Sequence, residues 1–221
     1  MSRMNKMNKI LLSTSWFPPL EYFVYLMKAQ FVVIDEYETY PKQTWRNRCR
    51  ILTGNGLADL TVPVSKPYGN RTQTRDTEIS HHGGWQKNHW ACITSAYSNA
   101  PFFIYYSDLV ADCFLNPHPK HLSAMNKNVL HWLLREMDVK IKPEYSDHFV
   151  QNTGEYLDLR FAISPKTKDR KHLPELTFPP YYQVFSDRFG FQQNLSIIDL
   201  LFNLGPDASD YLYQVADKSD T

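Results

Sequence analysis

The stretch GGWQKNHWACITSAY, residues 83–97, sets His89 between Trp85 and Trp90. Imidazole is the side chain whose ordinary pKa lies closest to neutrality, so it can take or release a proton at physiological pH. On a helix Trp85 would stand one turn before His89 and wall it from water. Desolvation would lower the imidazole pKa and hold the neutral form that a general base needs. The competing view is a satisfied core histidine on an apolar helix face. Asp35 is the candidate orienting or second acid/base group, although no linear feature brings it to His89.

Arginines supply the second pattern. Arg46, Arg48 and Arg50 alternate with Asn47, Cys49 and Ile51, so on a strand the guanidiniums share one face. Such a row repels itself unless anions lie opposite. A diphosphate, as in a nucleotide-sugar or CoA-type donor, would meet the need with bidentate contacts, and so would carboxylates such as Glu36 and Glu38. Asn47 and Gln43 would point the other way, where an amide either satisfies core backbone groups or reads sugar hydroxyls. Tyr40, Lys42 and Tyr97 are weaker candidates. Lys87 projects from the side of the helix opposite His89, toward solvent or a phosphate across a cleft. Trp90, Phe102, Phe103, Tyr105 and Tyr106 are better assigned to core or pocket wall than to a stacking platform.

Other chemistries lack their signatures. HPKH (118–121) and HH (81–82) carry no supporting carboxylate array, so no metal site is expected. No GxGxxG follows the first strand and no GxxxxGK[ST] occurs, so no cofactor is identified; Ser13 and Ser15 have no GxSxG context. Cys49, Cys92 and Cys113 are widely spaced, which argues against a disulfide scaffold and fits a reducing cytoplasm. Lys plus Arg total 24 against 23 for Asp plus Glu, so bulk attraction to nucleic acid is not expected. No run reaches the ~20 apolar residues of a membrane helix, and the apolar stretch Ile10–Leu12 is too short for a signal peptide.

The elements that must position these groups follow from periodicity. KILLST (9–14) and FVVID (31–35) are predicted buried strands, with PLEYFVYLMKA (19–29) a helix whose Leu20, Phe23, Leu26 and Met27 form one stripe. Together they predict a βαβ unit with a parallel pair. Ligands in such sheets lie beyond the strands' carboxyl ends, here Ser13, Ser15, Trp16, Asp35, Tyr40 and Lys42. QTWRNRCRIL and LADLTVPV flank TGNG as a β-hairpin. Residues 65–83 read as a mobile loop. Helices are expected over 85–99, in FFIYYSDLVADCFL, over 121–139 with Ser123 as cap and Leu130, Leu133, Leu134 and Met137 inward, and in NLSIIDLLFNLGPDA. There Asn194 or Ser196 caps and Gly205-Pro206 stops the helix. Residues 140–180 should wrap the surface.

FPPLEYF, VIDEYETYPKQTWRNRCRI, GNG with LTVPV, WQKNHW with SAYSNAPFFIYY, and SIIDLLFNLGP together resemble the WbqC-like protein family, from about residue 9 to 206. Many members of that bacterial family lie in gene clusters for O-antigen or other surface polysaccharides. The resemblance therefore implies a role in surface-polysaccharide or glycolipid biosynthesis. The loop with His81 and His82 lies outside it.

The expectation is a single α/β domain over 9–206, with a mixed sheet, an N-terminal βαβ unit, a β-hairpin and packed helices, between a disordered 1–8 and a tail at 207–221. The expected function is acyl or aminoacyl transfer to a sugar-linked acceptor, lipopolysaccharide assembly being the setting. His89 and Asp35 act on protons, Arg48 and Arg50 hold donor phosphates, and Gln43, Asn47 and Tyr40 place the acceptor, with Trp85 and Lys87 beside them. The alternative is a non-catalytic glycan or nucleotide-sugar binding protein of the same pathway.

Overall fold

The computed structural model describes residues 7–116, 119–166, 173–174 and 176–219. The βαβ unit is present as β1 (Met7–Ser13), α1 (Leu20–Lys28) and β2 (Ala29–Asp35). β1 and β2 pair in parallel, with Leu11 opposite Val33 and Ser13 opposite Asp35. Ile10, Leu11 and Leu12 are fully buried, as a strand covered on both faces must be. The crossover is tight, because α1 ends at Lys28 and β2 begins at the next residue. All nine residues of α1 are buried, beyond the predicted stripe. The additional cover comes from α7 (Ala208–Lys218), the helix formed after residue 207, which packs on α1.

Two short strands from the wrapping segment complete this sheet, β7 (Glu144–Tyr145) beside β2 and β8 (Leu157–Asp158) beside β1. The order is β7-β2-β1-β8 and every pairing is parallel. The hairpin joins β3 (Arg48–Thr53) to β4 (Gly56–Thr61), with Arg50 opposite Asp59. Parallel and antiparallel pairings thus occur in separate sheets, and β5 (Val64–Ser65) with β6 (Glu78–Ile79) adds another small antiparallel pair.

Residues 65–83, expected as a mobile loop, form an anchored strap. Thr72, Thr74 and Thr77 are fully buried. The strap's backbone is bonded to the segment after β2: Thr74 N donates to Glu38 O, Arg75 N to Glu36 O, and Tyr40 N to Thr72 O. Polar composition suggested mobility; long-range backbone pairing overrides it.

The remaining helices are α2 (Trp85–Tyr97), α3 (Phe103–Leu115), α4 (Leu122–Glu136), α5 (Ser186–Phe189) and α6 (Ile197–Leu204). Leu130, Leu133, Leu134 and Met137 are buried as predicted. α4 starts one residue earlier than its expected cap: His121 holds the cap position without a side-chain bond, and Ser123 sits inside the first turn. Ser196 caps α6 by accepting from Ile198 N, and Gly205 ends it with φ 55°. A Cβ on Gly205 would lie 2.4 Å from Phe102, so both conformation and space require glycine there. Among the described residues no helix is long and apolar enough to cross a membrane. His118 and most of KTKDRKH lie outside the described residues.

Candidate functional site

Asp35 closes β2 and is completely buried. Its Oδ1 accepts from Tyr37 N at 2.8 Å and Ser146 Oγ at 3.1 Å, and its Oδ2 accepts from Arg160 Nη1 at 2.5 Å. Arg160, itself 4% exposed, also grips Asp158 through Nε and Nη2. A buried carboxylate survives only when paired and hydrogen-bonded, and here the cation and the hydroxyl come from the wrapping segment. Asp35 is therefore a tie between the sheet and that segment, with no hydrogen bond to His89.

Arg46 departs from the expected arginine row. It precedes β3, is 2% exposed, and donates Nε to Glu38 Oε1 at 2.7 Å and Nη2 to Arg160 O at 3.0 Å. Burial raises the Glu38 pKa and the Arg46 charge opposes the rise. Asn126 of α4 donates to Arg46 O at 2.7 Å, joining helix, strap and sheet end in one polar cluster.

Above this cluster, at the carboxyl end of β2, lies a cleft of about 340 Å³. It is lined by Glu36, Tyr37, Arg75, Asp76, His121, Ser123, Ala124 and Ser146. The Arg75 guanidinium lies 4.5 Å from the Tyr37 ring centre and its Nε 3.5 Å from Asp76 Oδ1. Burial raises the Glu36 pKa, with the Lys127 charge acting against it, and Glu36 Oε1 has no hydrogen-bond partner. Ser146 also lines a neighbouring trough of about 520 Å³ that runs along residues 144–156. The two hollows therefore meet where Ser146 bonds to Asp35. Carboxylates, a guanidinium, hydroxyls, an imidazole and an aromatic face can together hold a polyhydroxylated ligand.

His89 stands elsewhere. It is half-buried on α2, with its ring 5.9 Å from Trp16, 5.3 Å from Trp85 and 6.4 Å from Phe114, centre to centre. Burial lowers its pKa to about 4, and its Nδ1 is buried with no hydrogen-bond partner. The ring is neutral at pH 7, as the sequence pattern suggested, but His89 lines neither the cleft nor the trough.

The hairpin arginines share one carboxylate. Arg50 grips Asp59 through Nε at 2.7 Å and Nη2 at 3.1 Å, and Arg48 Nη1 reaches the same group at 3.2 Å. Two guanidiniums on one carboxylate leave a surplus positive charge on a partly exposed face, next to Trp45, over which Arg50 lies at 5.4 Å. Asn47 points into the buried side and donates Nδ2 to Val62 O at 2.8 Å, a bond that fixes the hairpin's return strand. Gln43 precedes β3 in an exposed turn with φ 58°, so it does not share the buried face with Trp45 and Cys49. Tyr40 is buried and its phenol is pushed up to about 12 by desolvation. Trp85 is buried and donates Nε1 to Ser80 O, while Lys87 is exposed. Tyr97 donates to Asp199, whose carboxyl burial raises to about 6; Tyr181 and Gln183 complete that node.

Glu36, Arg75, Asp76, His121 and Ser146 were not candidates from sequence. In the sequence His121 belongs to the HPKH group that lacks supporting carboxylates, and Arg75 and Asp76 fall in a stretch whose polar composition reads as a loop. Glu36 follows a strand's carboxyl end, which was the one local signal available. Among the described residues no group of three or more histidines, cysteines or acidic residues is placed to hold a metal ion.

The model of the WbqC-like protein family matches residues 14–176. An uncharacterized protein of Mycobacterium tuberculosis, Rv1507c, is 28% identical over 83% of this chain and 87% of its own length. No solved structure matches the chain.

Proposed function

Because the chain belongs to the WbqC-like protein family, we propose that it acts in polysaccharide biosynthesis as an enzyme that transfers an acyl or aminoacyl group to a sugar-linked acceptor. The observation that carries the sugar-linked part is the cleft at the carboxyl end of β2. Its wall mixes hydrogen-bond acceptors (Glu36, Asp76), donors or dual groups (Arg75, Ser123, His121, Ser146) and the Tyr37 ring. Sugars present alternating hydroxyl donors and acceptors around an apolar ring face, which that mixture complements.

In such a transfer the acceptor nitrogen or oxygen attacks the acyl carbonyl carbon. A base takes its proton, and the bond to the leaving group breaks with its electron pair. His121 is the imidazole in the cleft wall and is assigned that base role. His89, walled by Trp16, Trp85 and Phe114, is the base that its sequence context suggests. His121→Ala abolishing transfer while His89→Ala retains it assigns the proton to the cleft; the reverse returns it to the aromatic box.

The second reading is a non-catalytic glycan or nucleotide-sugar binding protein of the same pathway. It is favoured by the depressed His89 pKa, since an imidazole at about 4 is a weak base at neutral pH. A thermal-shift panel of amino sugars, nucleotide-sugars, acyl-CoAs and amino acids tests both readings. A ligand at a hundredfold its Kd stabilises the folded state by about 2.7 kcal/mol. Stabilisation by a sugar compound that Glu36→Ala removes, followed by turnover with an acyl donor, supports the enzyme; binding without turnover supports the binder. A panel with no stabilising sugar compound refutes both.

A further inference from the structure

The carboxyl-end cleft is closed on one side by the beginning of α4, a helix of 15 residues. A helix start presents unpaired amides and the positive end of the helix dipole. No side chain caps α4. Leu122 N donates to Thr77 O and Met125 N to His121 O, and the two residues between them, Ser123 and Ala124, both line the cleft.

An independent feature points the same way. Ser123 is 6% exposed, yet its hydroxyl has no hydrogen-bond partner among the described residues. A hydroxyl at a helix start normally caps the helix or bonds to backbone. Here it lies in the lining of an open cleft that Arg75 also lines. The turn that carries Arg75, Thr74–Asp76, packs on α4, so the cation is placed by the fold rather than by a free arm.

We propose that the start of α4 is a phosphate subsite, with the Ser123 hydroxyl, the Ser123 and Ala124 amides and the Arg75 guanidinium as its donors. The ligand class is a phosphorylated substrate, and the inference rests on the reading of this cleft as the substrate site. It relocates the donor phosphate from the hairpin, where Asp59 already occupies Arg48 and Arg50. Helix starts beside the carboxyl ends of parallel strands are the common phosphate position in α/β folds. Arg75 would leave Asp76, a contact of 3.5 Å, for a bidentate grip on the phosphate. The Glu36 and Asp76 carboxylates confine an anion to the α4 side of the cleft and face the neutral or cationic remainder of the ligand.

The test is calorimetric titration of the full chain with inorganic pyrophosphate, with uridine diphosphate and CoA in separate arms to distinguish the two phosphate sources. Ser123→Ala and Arg75→Gln should each weaken pyrophosphate binding by about tenfold, the scale of one charge-assisted hydrogen bond, with thermal melts unchanged. Arg50→Gln should leave binding intact. Pyrophosphate that binds equally to wild type, Ser123→Ala and Arg75→Gln overturns the subsite, as does loss of binding in Arg50→Gln alone. Absence of pyrophosphate binding in a protein that still binds a neutral sugar also overturns it, while leaving the sugar cleft standing. If Arg75→Gln melts early, Ser123→Ala and Arg75→Lys decide the matter, because Lys keeps the charge and loses the fork.

Discussion

His89→Phe replaces a neutral, walled ring with one that cannot titrate. The wild-type imidazole has its pKa lowered to about 4 by burial, against 6.5 for the unperturbed group. Between those values the unfolded chain binds a proton that the folded chain does not, so stability rises with pH across that window. The contribution is complete above about 6.5 and is lost as the pH falls toward 4. At full burial the difference corresponds to about 3 kcal/mol. The ring is only half-buried, and solvent screening reduces this to roughly 1–2 kcal/mol. Urea unfolding of wild type and His89→Phe from pH 7.5 to 4.5 measures it, since every other titration cancels in the difference. Wild type should lose about 1–2 kcal/mol more than the variant over that range. A difference that stays constant with pH, or an NMR titration placing the His89 pKa at or above 6.5, would refute the burial explanation and with it the neutral state of the ring.

Removing Arg160 leaves the Asp35 carboxylate without its cation while it remains fully buried. Arg160→Met should cost about 3–5 kcal/mol, read as a fall of about 10 °C in the thermal midpoint; a fall near zero would refute the role of Arg160 as the tie to Asp35. Gly205→Ala should cost about 2–4 kcal/mol, from the positive φ and a Cβ pressed 2.4 Å from Phe102. Chemical denaturation that finds it neutral would show that the α6 end relaxes freely.

The elements were legible because their signals are local. Ile10–Leu12 and Phe31–Asp35 are apolar runs of strand length, Asn55-Gly56 is a hairpin turn, and Ser196 with Gly205 brackets a helix. Each depends on backbone preferences within a few residues. His89's half-buried, neutral state was also legible, because Trp85 one turn away sets much of its surroundings. The sequence alone thus determined the βαβ start, the hairpin, the helical spans and the family resemblance.

Charge pairing and cleft composition were decided only by the tertiary structure. Arg46, Arg48 and Arg50 look equivalent in line, yet one joins Glu38 in the interior and two share Asp59. Asp35 is only a candidate partner for His89 in the sequence, and in the fold it meets Arg160, 125 residues away. His121, Arg75 and Ser146 come from three separate segments and acquire meaning only where α4, the strap and the wrapping segment converge on β2. The physical reason is range. Periodicity and turn chemistry act between near neighbours, whereas burying a charge is tolerable only when a distant segment supplies its partner, and no local pattern states which segment that will be.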